Sequence, residues 1–205
     1  MKKYLTYLLL FITAFACTSH PNQYALFERS QFAKEVMTLS IDQVPTLAKF
    51  NQAYWAKNSL KIHSLILVPY DFDQQRFGDS TTTTCIPLSA LSWSASLHRN
   101  SLEFYPNAQG KIYDVHKDLL SNGEVKKQFI AHLLNRGKDP KLAEKPAEAW
   151  VDIFMPPQQS LQSLAPLLGL LADAYTEALE TNANLSPTII KNLLYLRKLE
   201  KIKTE

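Results

Sequence analysis

The chain alternates between segments with helical spacing of apolar residues and segments rich in β-prone residues. Apolar side chains recur three or four positions apart in residues 24–39 and 42–58, which is the spacing of one helix face. Both segments are therefore predicted to be helices, and Asp42 is placed to cap the second one. Residues 60–69 are rich in Leu, Ile and Val, so we predict a buried strand that ends at Pro69.

A polar segment follows at residues 71–84. Asp71 and Asp73 have the spacing of two ligands of a calcium loop. However, Gln75 and Arg76 stand where that loop needs another oxygen ligand and a glycine. We therefore predict a surface loop with too few apolar residues to be needed for the core. Loops of this kind often carry binding residues.

A β-hairpin is predicted after this loop. Residues 85–97 are apolar and β-prone, and two further apolar runs at residues 101–105 and 111–115 flank a turn that contains Gly110. Two short β-prone runs around a glycine-containing turn are typical of a hairpin.

A helix, a strand and a second helix are predicted next. Ser121 and Glu124 have the spacing of a capping box, so a helix is predicted over residues 121–136. The alternation in residues 149–155 indicates a strand, and residues 160–179 carry an apolar helical face.

Residues 186–203 are predicted to form a C-terminal amphipathic helix. Ser186 and Pro187 are a favourable helix start, and leucines and isoleucines follow at helical spacing. Residues 186–205 carry five Lys or Arg against two acidic residues. Such a basic helix either packs on its own domain or lies on an anionic membrane or in a groove of a partner.

These elements together predict an α+β fold. The expected architecture is a small, mostly antiparallel sheet with helices on one face, preceded by a helical N-terminal pair and closed by the C-terminal amphipathic helix. The length of 205 residues is compatible with one domain and its appendages.

The composition excludes two classes of cofactor site. The chain has 22 Lys plus Arg, 19 Asp plus Glu and five glycines, and no two glycines are closer than 13 positions. Neither the glycine-rich turn that binds dinucleotides nor the phosphate-binding loop can be written with this spacing. The two cysteines are too few for a zinc ribbon, so no cofactor or metal is predicted.

The first 17 residues have the features of an export signal. Lys2 and Lys3 precede an apolar run at residues 4–15, and Ala16 and Cys17 follow it. A positive start, a short apolar run and small residues before a cut are typical of a secretion signal. The stretch resembles the lipobox of bacterial lipoproteins, in which the cysteine becomes the first mature residue and carries the lipid. The alternative is an ordinary signal peptide with a coincidental cysteine.

The lipobox resemblance divides the chain into a signal peptide (1–16), a lipidated tether (17–23) and one periplasmic domain (24–205). Cys17 is then the lipid-attachment residue. Thr18 follows it where an Asp would imply retention at the inner membrane, so the resemblance implies the outer membrane, on its periplasmic side.

Removal of the signal changes the charge of the chain only slightly. It leaves 20 basic and 19 acidic residues, a net charge of +1. Nucleic-acid binding relies on clustered Lys and Arg, so no nucleic-acid partner is predicted. Cys85 remains as the other thiol and is predicted to be a small buried hydrophobe.

A second resemblance covers residues 101–180. The runs SLEFYPNAQGKIYDV, AWVDIFM and SLQSLAPLLGLL are similar to the periplasmic domain of the ExbD/TolR family. That family has the same order of hairpin, helix, strand and helix, so the resemblance implies binding to envelope partners. This chain departs from the family in having a cleavable signal in place of an inner-membrane helix with a proton-bearing Asp. It also departs from it at Met155-Pro156-Pro157, where the family usually has an Asp after the strand, and at residues 186–203, where a helix is predicted in place of a final strand.

No recognised catalytic spacing is present. No serine has the flanking glycines of a hydrolase nucleophile, and none of the five histidines pairs with another at the spacing of a zinc protease. His116 lies between Asp114 and Asp118, which favours an exposed turn over a proton-transfer site. A pair of Cys85 with a histidine that meets it in space stays open.

Three functions are compatible with these features. The first is a non-catalytic, lipid-anchored envelope protein that binds another protein in the periplasm. The second is an immunity lipoprotein that neutralises a periplasm-acting toxin, and the third is an uncatalogued envelope enzyme that uses residues such as Cys85 and His116. For a binding protein, we expect the partner surface on residues 71–84 and on the charged face of the C-terminal helix, including Lys198 and Lys201.

Overall fold

The computed structural model describes residues 24–32, 36–58, 65–90, 101–182, 185–186, 189 and 193–198. Within these residues the chain forms three α-helices and eight strands. The helices are α1 (Leu47–Asn58), α2 (Asn122–Leu134) and α3 (Ala165–Thr181). The strands are β1 (Met37–Thr38), β2 (Ile66–Asp71), β3 (Arg76–Phe77), β4 (Cys85–Ala90), β5 (Leu102–Pro106), β6 (Ile112–Tyr113), β7 (Val151–Met155) and β8 (Leu194–Lys198). The predicted signal peptide and tether lie outside the described residues, as do residues 91–97 and 199–203.

The eight described strands form one mixed sheet in the order β1-β2-β4-β8-β7-β5-β6, with β3 paired to β2. β4, β8, β7 and β5 run parallel to one another, and β1 is parallel to β2. The antiparallel pairs are β2 with β3, β2 with β4, and β5 with β6. The α+β class is therefore confirmed. The prediction of a mostly antiparallel sheet is wrong, because four of the seven described strand pairs are parallel, and α1 and α3 are the crossover connections within two of them.

All three described helices contribute to one hydrophobic core. Their buried side chains pack in the same cluster as alternate strand residues such as Val68, Leu88, Ile153 and Leu196. Since alternate residues of a strand point to one face, the helices lie on one face of the sheet, as the sequence predicts. None of the described helices combines the length and the hydropathy needed to cross a membrane.

Helix α1 begins at Leu47, later than the sequence predicts. Pro45 favours an extended conformation in the residue before it, so the helix begins after this point. The Thr46 hydroxyl accepts a hydrogen bond from the Lys49 N–H at 3.4 Å and takes the capping role expected of Asp42.

Residues 24–32 form what we call the N-terminal strap, in place of the first helix of the predicted N-terminal pair. The strap contains two short 3-10 turns. Phe27 is buried in the main core, whereas Phe32 packs with Leu67 and Cys85 in a second, smaller cluster. The strap therefore passes from the helix side to the other face of the sheet, and a continuous helix could not follow that path.

Residues 71–84 also belong to the core, so the prediction of a loop that the core does not need is wrong. Phe72 and Phe77 are each more than nine-tenths buried. The Gly78 N–H donates to the Pro69 carbonyl at 2.9 Å, and Pro69 lies inside β2 where the sequence predicts its end. The apolar residues of this segment are few, but the turn places them under α3 and the strap.

The prediction of a C-terminal helix is wrong at residues 194–198, which form β8. Leu194 and Leu196 are buried in the main core, while Tyr195 and Arg197 lie on the other face, which is the alternation of a strand. β8 lies between β4 and β7 and pairs with both. A short leucine-rich run is compatible with either a helix or a strand. Here the pairing with two neighbouring strands favours the strand.

The middle of the chain confirms the predicted order of hairpin, helix, strand and helix. The Ser121 hydroxyl accepts from the Glu124 N–H, and the Glu124 carboxylate accepts from the Ser121 N–H, so the predicted capping box is present. Ser160 caps the 3-10 turn Leu161–Leu164 that leads into α3. At both positions the residue that the sequence predicts to cap a helix caps a helical segment in the folded structure.

Gly169 lies on α3 where the helix approaches β2. A Cβ at this position would lie 2.7 Å from the hydroxyl of Tyr70, which is fully buried and donates to the Ala165 carbonyl. We expect Gly169→Ala to lower the free energy of unfolding by about 1–3 kcal/mol, because it overpacks Tyr70 and disturbs that hydrogen bond. Gly123→Ala is the matched control and should be neutral or stabilising, since nothing lies within 4 Å of a Cβ there. Urea unfolding measures both, and equal midpoints would contradict this packing.

Candidate functional site

Cys17, the predicted lipid-attachment residue, lies outside the described residues. The first described residue is Tyr24. Its hydroxyl donates to the Asp173 carboxylate on α3 at 2.6 Å, and its ring stacks on Phe72 with centroids 4.0 Å apart. The chain that leads back to Cys17 therefore leaves the described domain beside α3.

The structure separates the two residues considered for an enzymatic site. Cys85 is fully buried on β4, and burial raises the pKa of its thiol while the Arg29 side chain opposes that shift. His116 is exposed in the turn after β6. β4 and β6 are four strand positions apart, which is about 19 Å at the usual strand spacing. Cys85 and His116 therefore do not pair, and Cys85 is the small buried residue that the sequence predicts.

A second described histidine, His132, is a buried structural residue at the end of α2. Its Nδ1 accepts from the Ala143 N–H, and its Nε2 lies 3.2 Å from the Trp150 carbonyl. Burial lowers the pKa of His132. The neutral ring, with its proton on Nε2, satisfies both contacts and ties α2 to the segment before β7.

The second face of the sheet carries a row of polar side chains across its four parallel strands. Strand register places Ser89 beside Tyr195, Tyr195 beside Asp152, and Asp152 beside Glu103. Residues that are neighbours in register point to the same face of a sheet. We call these four residues the polar row. Sequence reasoning missed it, because the row is formed by register across four strands and not by any local pattern.

A buried ion pair joins Asp152 of the polar row to a second residue of β8, Arg197. Oδ1 of Asp152 and Nε of Arg197 are 2.7 Å apart, and the two side chains are 3% and 16% exposed. Neither atom has another hydrogen-bond partner among the described residues. The Arg197 guanidinium also lies 5.7 Å from the centre of the Phe154 ring, which is a cation–π distance. β7 and β8 are therefore joined by side chains as well as by backbone.

The tyrosines of this face keep their protons at neutral pH. Tyr105 donates to the Glu103 carboxylate at 2.7 Å, and burial followed by that carboxylate raises the pKa of Tyr105. Burial is also the main cause that raises the pKa of Tyr195. Proton transfer near pH 7 needs a group whose pKa lies close to that pH. On this face the Asp152–Arg197 pair joins β7 to β8.

A groove lies between α2 and α3 on the outer surface of the helix layer. The two helices run in the same direction, because their contacts follow the same order along both: Lys126 pairs with Asp173, and Arg136 then bonds to Asn182 just beyond the two helix ends. The groove has a volume of about 610 Å³. Its lining comes from Gly123, Lys126, Lys127, Ile130, Ala131 and Leu134 of α2 and from Glu177 of α3.

The floor of the groove is apolar. Ile130 and Leu134 are half-buried, and Ala131 is exposed. They flank the core residues Phe129 and Leu133, so the apolar surface of α2 is wider than the core requires. This extra width is visible in the sequence and is the signal that could have indicated the groove.

The rim of the groove carries charges of both signs. The Lys126 ammonium is neutralised by Asp173 at 3.2 Å. Lys127 on α2 and Glu177 on α3 are both exposed and form no ion pair among the described residues. The groove therefore presents an apolar strip with Lys127, which also interacts with Glu124 of the same helix, on one side and Glu177 on the other.

Among the described residues, no three His, Cys, Asp or Glu side chains are arranged to hold a metal ion. No protein-family model matches the chain, and no curated protein or solved structure is significantly similar to it. The groove is therefore interpreted from its own geometry and chemistry.

The Asp152–Arg197 ion pair gives a prediction about stability. Asp152→Ala leaves the mostly buried Arg197 charge without its counter-ion, so we expect the free energy of unfolding to fall by about 3 kcal/mol. The double variant Asp152→Ala, Arg197→Met removes both charges and should recover most of that loss. Glu148→Ala breaks an exposed pair with Lys145 and should cost less than about 1 kcal/mol. Urea unfolding measures the free energy of unfolding of the parent and of the three variants. A double variant as unstable as Asp152→Ala would show that the buried charge is not the cause.

Proposed function

We propose that this chain is a lipid-anchored protein of the periplasmic side of the outer membrane, and that it binds another envelope protein without catalysing a reaction. The export signal and Cys17 support the anchor. The groove between α2 and α3 supports the binding role, because apolar surface and available charges lie together there.

We propose that the groove receives side chains from one helix of a partner protein. Two parallel helices leave a trough along their axes, and an amphipathic helix in such a trough buries its apolar stripe. Charge complementarity calls for an acidic side chain of the partner opposite Lys127 and a basic one opposite Glu177. We therefore describe the partner chemically, as an amphipathic helix whose apolar stripe has an acidic residue on one side and a basic residue on the other.

The order of the elements supports the similarity to the periplasmic domain of the ExbD/TolR family. The hairpin of β5 and β6 is followed by α2, β7 and α3, and then by β8. β8 is a final strand of the kind that the family has, so this departure from the family pattern disappears. A domain of that kind is expected to bind envelope partners, which agrees with a non-catalytic role.

Cys17→Ser tests the anchor. In a lipobox the cysteine carries the lipid, so we expect the variant to lose fatty-acid labelling in cells that are fed a labelled fatty acid. Thr18→Ser keeps the cysteine and is the matched control, and it should be labelled like the parent. If Cys17→Ser is still labelled, the proposed anchor is wrong.

A photo-crosslinking amino acid at position 131 tests the groove in living cells. Ala131 is exposed on the groove, so we expect an adduct with an envelope protein at a helix of the stated charge pattern. Ala108, which is exposed in the turn between β5 and β6, is the matched control position and should give no such adduct. Lys127→Glu should lower the adduct yield at position 131 roughly fivefold, because reversal of an exposed charge pair costs about 1 kcal/mol.

Equal adduct yields at positions 131 and 108 would contradict the assignment of the groove. So would an adduct on an extended segment of the partner. If the cross-linked protein is a toxin that acts in the periplasm, the chain is an immunity lipoprotein, which is a narrower form of the same proposal.

A further inference from the structure

Residues 136–146, which we call the α2–β7 connection, are held by two side chains from the end of α2. The His132 Nδ1 accepts from the Ala143 N–H at 3.2 Å. The Asn135 side-chain amide donates to the carbonyls of Asp139 and Ala143 at 2.8 Å each, and its oxygen accepts from the Asp139 N–H at 2.7 Å. Ala143 is therefore bonded through both of its backbone groups to side chains at the end of one helix.

Few apolar contacts support the α2–β7 connection. It contains no α-helix or strand, and Ala143 is its one buried residue. Arg136, its first residue, has a φ of 49° in the left-handed region, which is unfavourable for a residue with a Cβ. Segments with few buried apolar contacts open locally at a lower free energy than the whole domain unfolds. The bonds to His132 and Asn135 therefore contribute much of the stability of the closed connection.

The closed connection requires the neutral form of His132. The residue is 1% exposed, and its Nδ1 accepts from Ala143 only while that nitrogen carries no proton. The single proton of the neutral ring is then on Nε2, which lies 3.2 Å from the Trp150 carbonyl. A second proton would set an N–H on Nδ1 against the N–H of Ala143 and would bury a positive charge. The protonated ring is therefore compatible only with an open connection.

The charged side chains around His132 do not compensate for its burial. Those of the α2–β7 connection are all exposed: Arg136, Lys138, Asp139, Lys141, Glu144 and Lys145. On the two helices, Glu124, Lys127, Glu177 and Glu180 are exposed, while Lys126 and Asp173 pair with each other. Glu148 pairs with Lys145, and Glu103 and Asp152 lie on the other face of the sheet. Burial lowers the pKa of His132, and the Trp150 carbonyl opposes that shift, so the charged ring has no counter-ion among the described residues.

We infer that His132 is an acid-sensitive latch, whose neutral ring holds the α2–β7 connection closed and whose protonation releases the connection together with the last turn of α2. That turn carries Leu134, which lines the groove. Arg136 bonds to Asn182 at 2.7 Å and so ties the connection to the end of α3. Acid therefore loosens the end of the groove where the two helices finish. The latch is a property of the domain alone, and only its effect on a partner rests on the proposed function.

The direction of the pH effect follows from the lowered pKa of His132. In the open form the ring is in water and has the ordinary pKa of about 6.5, whereas in the closed form its pKa lies lower. The closed form is therefore fully stable above about pH 6.5 and loses stability as the pH falls below that value. At a pH of about 5.5, one unit below the ordinary value, the ratio of open to closed molecules should be up to about tenfold higher than at a pH of about 7.5.

Amide hydrogen exchange of the full chain, measured at these two pH values and corrected for the intrinsic exchange rate at each, tests the latch. We expect the protection of the Ala143 and Leu134 amides to fall about tenfold on acidification, and to stay below that of Ile153 in the centre of β7 at both pH values. In His132→Asn the side-chain oxygen accepts from Ala143 without titrating, so the change at Ala143 should be less than about twofold. His116→Asn alters the exposed histidine after β6, is the matched control, and should keep the full response.

Three results would overturn the latch. Equal protection of Ala143 and Ile153 would show that they exchange only when the whole domain unfolds, and a response of Ala143 without one of Leu134 would separate the latch from the groove. If His132→Asn does not fold, the ring nitrogens of the parent decide by nuclear magnetic resonance: a protonated Nδ1 at a pH of about 7.5 would contradict the bond from Ala143. None of these measurements uses a partner or the lipid anchor, so the latch and the proposed function fail independently.

Discussion

The sheet is complete only when β8 occupies the position between β4 and β7. β8 is the last described segment of the chain, yet it lies in the middle of the sheet. Without it, β4 and β7 would each present an unpaired edge, and such edges promote aggregation. Leu194 and Leu196 complete the core on one face of β8, and Arg197 neutralises Asp152 on the other. One strand therefore joins the two halves of the sheet.

The two faces of the sheet are covered in different ways. On the helix side, apolar residues from the strands pack against all three described helices in one continuous core. On the other face, the strap covers Leu67 and Cys85 with Phe32, while the polar row and its ion pair occupy the strands nearer β5. The helices are thus left with their outer surfaces toward solvent, and the groove lies on that outer layer.

The elements that the sequence predicts well are those that carry their own local signal. The capping box at Ser121, the hairpin turn at Gly110 and the alternation in β7 are each contained in a few neighbouring residues. The strap and β8 were assigned as helices because their apolar residues also fit helical spacing. In both segments, contacts with distant parts of the chain determine the conformation. The strap packs on both faces of the sheet, and β8 pairs with β4 and β7.

The candidate site shows the same limit. The apolar residues of the groove are visible in the sequence as an unusually wide stripe on α2. Glu177 of α3 lies next to them only because the connections that contain α2 and α3 place these two helices side by side. The polar row depends on register across four strands, so residues far apart in the sequence become adjacent. The groove and the polar row are therefore both formed by the packing of distant segments, and not by the secondary-structure propensity of any one segment.

The position of β8 also governs the time at which the native sheet can form. A polypeptide leaves the ribosome, or a translocation channel, amino end first. While residues 194–198 are still inside, β4 and β7 lack the strand that lies between them, so the half of the sheet with β1, β2, β3 and β4 is not joined to the half with β5, β6 and β7. Commitment to the native topology is therefore coupled to the release of these five residues. Until these residues emerge, the two halves of the sheet stay unjoined.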